Sequence, residues 1–413
     1  MTFSFCSEKS KFAEIQVLNT VKMKMLITLI GILFLNISCS QNLHDAYIYN
    51  QPENLNDGLE VGTPEDVGIN RQMILKALAR IADGKFGEVH SMLIYKDDRL
   101  IFEEYFQGHR YKWDAPYYLG EPVQWDQTMS HQIMSCTKSV ASACINIAIE
   151  RGFIRSVNQS IFDYLPDYRQ YNSGLKSEIT IEHLLTMTSG LAWDEWHAPH
   201  ATAANDIDRL YIECADDPLK CVLEKPVVST PGSFFTYNGG GIITLGEILR
   251  NSSGIDIKEF AESFLFGPMG VDSIQWDGFP NGILETAGGL HLRPRDMLKF
   301  GVMYLNDGAW KGERIISKDW VAKSSEIYGN NSGIKVPIED SGNNGYGFTW
   351  WISQLGHYGQ KTNMYRANGW GGQVIMVLPE NKMVVVFTGG NYTSKSHLFK
   401  ILQSYILPSL KDH

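Results

Sequence analysis

Apolar residues recur along this chain in two rhythms, and the rhythms are unevenly spread. Residues 70–83 space them three and four apart, which predicts an amphipathic helix. Residues 90–95 and 100–106 are short apolar runs, predicted as two strands joined in a hairpin at Lys96-Asp97-Asp98-Arg99. Near the other end, 346–352, 373–378 and 383–387 are again strand-like, the last two turned by Pro379-Glu380-Asn381-Lys382. A terminal helix is predicted over 394–407. Between these ends the helical rhythm dominates, at 181–187, 242–251, 256–266 (with Asp256 and Glu259 as a capping pair), 295–305, and 318–325 after the cap Ser317. Strands at both ends with helices between them predict an α/β (α+β) fold. Its antiparallel sheet is formed from both chain ends and flanked by terminal helices, with an all-helical region inserted at about 155–290.

The stretch 131–152 stands apart. After Ser135-Cys136-Thr137-Lys138 come small and apolar residues on nearly every side, ending at Gly152, the signature of a helix buried all round. Ser135 falls in its first turn and Lys138 one turn on, so their Cβ atoms lie about 5–6 Å apart on one face. A buried ammonium is costly, and burial lowers the pKa of a lysine. A neutral amine beside a hydroxyl can take its proton, and N–H groups at a helix start point where an oxyanion would form. Ser-x-x-Lys occurs twice more, at Ser173 and Ser332, but each copy carries a glycine in a polar, turn-like setting and reads as a loop.

The chain has 413 residues, 44% of them hydrophobic, and a net charge of -10 with no basic run outside the extreme N-terminus, which argues against nucleic acid as a partner. Residues 23–39 carry a lysine, a short apolar core and a final cysteine, the layout of an export signal. Residues 1–39 therefore read as a leader, with translation starting at Met23, and 40–62 as a polar tether ahead of a body at 63–413. Cys39 resembles the lipid-bearing cysteine of bacterial lipoproteins. The expected localisation is exported, periplasmic or membrane-anchored, with the membrane reached only through that lipid. Cys136 and Cys144 are about 12 Å apart along one helix and read as packing residues. Cys214 and Cys221 could pair in an oxidising compartment.

Three further stretches could complete a site. Residues 231–241 hold Tyr237 on a glycine-rich turn that opens a helix, where it could move a proton. Residues 367–373 (Ala-Asn-Gly-Trp-Gly-Gly-Gln) precede a strand and suit a backbone N–H donor. Residues 191–200 gather Trp193, Trp196, two carboxylates, His197 and His200. That loop reads as a pocket wall; its histidines lack metal-ligand spacing, and no metal is expected. The chain has no G-x-S-x-G, H-E-x-x-H or G-x-G-x-x-G.

From about Thr63 to the C-terminus the chain resembles the penicillin-recognising serine hydrolases, the family of class C β-lactamases, D,D-peptidases, lactamase-fold esterases and nylon-oligomer hydrolases. The resemblance rests, in order, on Ser135-Cys136-Thr137-Lys138, residues 183–191, the 231–241 turn, Ala287-Gly288-Gly289-Leu290 before Arg295-Asp296, and Gly371-Gly372-Gln373. It implies a β-lactamase/transpeptidase-like fold with Ser135 as acylated nucleophile, Lys138 as its base and Tyr237 as proton carrier. The N–H groups of Ser135 and Trp370 would form the oxyanion hole. Substrate would meet Trp193 and Trp196, the Asn238-Gly239 pair, and Asn368, Gly369, Trp370 and Gly371.

Two departures stand out: Gly239 replaces the asparagine of the Tyr-x-Asn element, and Ala367-Asn368-Gly369 replaces a box that opens with a cation. Lys361-Thr362-Asn363 resembles that box but lacks its glycine and is too far from the strand. The missing cation argues against β-lactamase activity. The expected function is therefore hydrolysis of a small-molecule or peptide-like ester or amide through an acyl-enzyme on Ser135, without cofactor. A D,D-peptidase, a β-lactamase, or an inactive binding or sensor domain of the same fold are the alternatives.

Overall fold

The computed structural model describes residues 48–357 and 360–410. Its centre is an eight-stranded antiparallel sheet built from β1 (Val89–Lys96), β2 (Arg99–Tyr105), β3 (Ile334–Lys335), β4 (Asn343–Tyr346), β5 (Trp351–His357), β6 (Gln360–Gly369), β7 (Gln373–Leu378) and β8 (Met383–Gly389). The strand order is β3-β4-β5-β6-β7-β8-β1-β2, so the last strand of the chain pairs with the first, Met92 opposite Phe387. The sheet is thus closed from both chain ends, as the pattern predicts. Every residue of β1, β7 and β8 is buried, which explains why their apolar runs are continuous instead of alternating.

The β1–β2 hairpin turns on Asp97 and Asp98, both at positive φ (44° and 61°), the two-residue geometry whose twist matches its strands. Two strand predictions needed correcting. Residues 346–352 are not one strand: Gly347 is pressed against the carbonyls of Lys323 and Glu326, and Thr349 sits at φ 62°, so the chain breaks between β4 and β5. All of β6 was missed. It runs through the sheet despite a polar sequence, because Arg366 finds buried partners in Asn344 Oδ1 and Ser353 Oγ, each at 3.0 Å. Lys361-Thr362-Asn363 therefore lies on the same strand as Ala367-Asn368-Gly369, at its far end.

Helix α1 (Arg71–Ala82), capped by Asn70, packs against the helical turns at 398–409 that replace the single terminal helix predicted at 394–407. The stretch 131–152 forms α2 (Cys136–Glu150), wholly buried from Cys136 to Ala148 and packed on β6 and β7. Residues 155–290 carry a series of short helices joined by long loops, the longest helix being α3 (Gly239–Ser253), which packs against α2. Within this insertion a two-residue strand, Gln275–Trp276, joins His131–Gln132 and Leu290–Leu292 in a small sheet. Helix α4 (Pro294–Leu305) lies on β1, β7 and β8, and approaches closely because a side chain at Gly301 would meet Ile375 and Val384 at 2.7 Å.

The expected tether at 40–62 also changes. From Ile48 on it is docked: the Tyr49 hydroxyl donates to the Ile101 carbonyl at 3.0 Å, Leu59 is buried, and Val61 bridges Leu100. The leader at 1–39 and its Cys39 lie outside the described residues. Cys214 and Cys221 form a disulfide, while Cys136 and Cys144 are free and buried. No helix of the described residues is long and apolar enough to cross a membrane.

Candidate active site

The turn before α2 sets the geometry. Met134 is held at φ 48°, a left-handed conformation that costs a non-glycine residue of order 1 kcal/mol, and the chain then enters the helix through Ser135. Ser135 occupies the N-cap position with helical backbone angles and makes no side-chain cap bond. Its hydroxyl accepts instead from Lys138 Nζ at 2.8 Å. The same nitrogen donates to the Ala287 carbonyl at 2.8 Å, and Lys138 is 2% exposed. Burial pushes the Lys138 amine below its ordinary pKa, opposed by the negative charges of Glu195 and Glu285.

Tyr237 closes the triangle. Its ring centroid lies 4.9 Å from Lys138 Nζ, and the ring stacks on Trp196 at 5.0 Å and on Trp351 at 5.8 Å. Burial holds its hydroxyl well above the usual phenol range, with Glu195 adding to the rise and a hydrogen bond with Ser135 opposing it. The phenol is therefore protonated at neutral pH. A neutral-leaning amine, an alcohol and a protonated phenol in mutual reach can move a proton in either direction across the alcohol.

The far wall comes from the end of β6. A side chain at Gly369 would meet the Ile133 carbonyl at 2.4 Å, so only glycine lets this strand abut the turn that carries Ser135. The next residue, Trp370, then lies across a cavity of about 350 Å³ that it lines together with Ser135. Among the described residues neither the Ser135 nor the Trp370 N–H has a hydrogen-bond partner. The Trp370 indole is fixed by donation to the Tyr392 carbonyl at 2.8 Å and by His200, which stacks on it at 4.3 Å.

Of the residues expected to meet substrate, Trp196, Asn368, Gly369, Trp370 and Gly371 line this cavity. Trp193, Asn238 and Gly239 lie behind it. Trp193 is a core residue whose indole donates to Glu195 Oε2 at 2.6 Å; Asn238 caps α3; the Gly239 N–H donates to Glu195 Oε2 at 2.7 Å. A side chain at Gly239 would meet Ile207 at 2.8 Å and Glu195 Oε2 at 3.0 Å, so a packed backbone, not a substrate contact, accounts for glycine there. His197 is exposed and bonded to Asp194, and His200 to Asp208. Among the described residues no three His, Cys, Asp or Glu side chains come together in a way that could hold a metal.

Sequence reasoning missed three carboxylates. Glu195 lies in the 191–200 loop and was not singled out there. Glu285 precedes the Ala287-Gly288-Gly289 turn by two residues and accepts from the Ala287 N–H at 2.8 Å, shaping the turn whose carbonyl holds Lys138. Burial, opposed by the Lys138 charge, raises its pKa to about 7. Glu339, in a polar stretch without a pattern, lines the cavity beside Asn368.

A sheet closed from both chain ends, with a buried helix presenting a serine and a lysine one turn apart toward a tyrosine, defines a β-lactamase/transpeptidase-like fold. The chain belongs to the beta-lactamase family, which matches residues 88–397. It is 24% identical over 324 residues to an uncharacterized protein of Alkalihalophilus pseudofirmus, covering 72% of this chain and 82% of that one. Among solved structures it is similar to a candidate 6-aminohexanoate-dimer hydrolase from Bacillus anthracis, with a TM-score of 0.64 and 19% identity over 89% of this chain and 91% of the other. It is also similar to EstCE1, described as a hydrolase with promiscuous acyltransferase activity, with a TM-score of 0.60 and 16% identity over 81% and 98%. At these identities the likeness is one of fold.

Proposed function

We propose that this chain is a serine hydrolase that cleaves an ester or amide through an acyl-enzyme on Ser135. Ser135 gives its hydroxyl proton to Lys138 and attacks the substrate carbonyl, and the N–H groups of Ser135 and Trp370 hold the oxyanion. The ammonium that forms is stabilised by the charges of Glu195 and Glu285. Its proton passes through Tyr237 to the departing alcohol or amine, the carbonyl re-forms, and an acyl-Ser135 ester remains. Water then attacks that ester over the same relay in reverse and releases the acid.

One observation carries this reading: a fully buried amine 2.8 Å from a hydroxyl that stands at a helix N-cap and does not cap the helix. Hydrolases among the structural neighbours support it at the level of fold. The disulfide between Cys214 and Cys221 supports an oxidising compartment, and with it an exported protein, periplasmic or membrane-anchored.

Incubation with a fluorophosphonate probe, followed by mapping of the adduct, tests the assignment. Label at Ser135 is expected, and label confined to any other residue removes the nucleophile from this account.

A further inference from the structure

The place where related boxes carry a cation is occupied here by Ala367, fully buried, and by Asn368, whose side-chain amide donates to Glu339 Oε1. Glu339 Oε2 accepts from Arg366 Nη2 at 3.2 Å. Arg366 sits beneath this pair with no side-chain exposure and with Nη1 turned to Asn344 and Ser353, so its charge is buried away from the cavity. Among the described residues no lysine or arginine lines the cavity, whereas Glu195, Glu339, His197 and His200 do. A substrate carboxylate entering here would find the Asn368 amide already engaged and an oxygen of like charge beside it. The remaining walls include the aromatic faces of Trp196, Trp351, Trp370 and Phe399, which receive apolar or cationic groups.

We infer that Glu339 sets the charge of the substrate: the cavity takes esters or amides that are uncharged or carry an ammonium group, and it rejects those bearing a carboxylate. This rests on the serine hydrolase reading and narrows it. The residue responsible is a glutamate that pairs with Arg366 and engages the Asn368 side-chain amide.

The test compares three p-nitrophenyl esters of matched length: hexanoate, the adipate monoester with its free carboxylate, and a hexanoate ending in trimethylammonium. In the wild-type protein kcat/KM for the adipate ester is expected to fall roughly tenfold or more below that for hexanoate, with the trimethylammonium ester at least equal to hexanoate. In Glu339→Gln, whose single amide oxygen can keep the bond from Arg366 while its NH2 leaves the Asn368 amide free, the adipate-to-hexanoate gap is expected to narrow about tenfold. Equal turnover of adipate and hexanoate by the wild type, or an unchanged gap in a folded Glu339→Gln, overturns the assignment. The wild-type ratio needs no variant and carries the test should Glu339→Gln fail to fold. If no ester reacts and fluorophosphonate leaves Ser135 unlabelled, the hydrolase reading falls and this inference with it, an outcome distinct from hydrolysis without charge preference.

Discussion

Helices α2 and α3 are each fifteen residues long and pack on one another, and each begins at a side chain able to cap it. Asn238 does so: its backbone is extended (φ -139°, ψ 97°) and its Oδ1 accepts from the Gly241 N–H at 2.9 Å. Ser135 does not, since its backbone is already helical (φ -63°, ψ -5°) and its hydroxyl is bonded to Lys138. Ser317, the same residue type at another helix start, caps normally by accepting from the Trp320 N–H at 3.3 Å. A cap is worth about 1 kcal/mol. Residue type therefore does not explain the difference at Ser135; the left-handed Met134 before it and the lysine one turn on do. A hydroxyl withheld from the helix is free for the role proposed for it.

The largest expected effect follows directly. Ser135→Ala should lower kcat/KM by about a thousandfold or more while the melting temperature barely moves, because no cap bond is lost. An active Ser135→Ala variant, or one markedly destabilised, would place Ser135 with Ser317 as an ordinary cap. Tyr237→Phe keeps the ring between Trp196 and Trp351 and removes only the hydroxyl. A loss of roughly a hundredfold in kcat, with unchanged folding by near-UV circular dichroism, is expected if that hydroxyl carries the proton.

Next in size is a pH effect at the other end of the Lys138 hydrogen bonds. Glu285 has its pKa raised from 4.5 to about 7, chiefly by burial. The folded state thus holds this proton more tightly than the unfolded chain. The resulting stability is fully present below pH 4.5, declines as pH rises, and is lost above about pH 7. Glu285→Gln should flatten that decline, which is worth on the order of 1–3 kcal/mol across the window. Denaturant midpoints measured from pH 4.5 to 7.5 would show it, and an equal slope in wild type and variant would mean that Glu285 is ionised in the folded protein throughout.

Much of this arrangement was legible in the sequence because it is local. Ser135 and Lys138 are three apart on an apolar helix, so their meeting follows from helical geometry, and the sheet's closure follows from where the strand-like runs fall. What could not be read depends on contacts between distant segments. Strand β6 hides behind Arg366, whose polar sequence looks unlike a buried strand until Asn344, Ser353 and Glu339 are folded around it. Trp193 looks like a pocket wall in a loop of tryptophans, yet packs behind Glu195 because a side chain at Gly240 would meet it at 2.6 Å. The roles of Glu195 and Glu339 have no sequence spacing at all; they appear only when the 191–200 loop and residues 336–339 meet the end of β6 at one cavity.

The smallest effect tests the comparison from its other side. If Asn238 is a cap and not a substrate ligand, Asn238→Ala should cost about 1 kcal/mol, measured by denaturant unfolding, and leave kcat/KM for a neutral ester within a few-fold of wild type. Its side-chain Nδ2 is buried without a hydrogen-bond partner among the described residues, so truncation also removes a desolvated donor and the cost should fall at the low end. Asn238→Ser, which keeps a cap acceptor without that donor, should recover most of the loss. Ser317→Ala should cost more than Asn238→Ala, because Ser317 Oγ also accepts from Asn146 Nδ2 at 3.2 Å, with Ser135→Ala matching neither. A variant at 238 that folds normally but loses its activity would instead put that amide in contact with substrate, and the contrast between the two helix starts would no longer separate structure from chemistry.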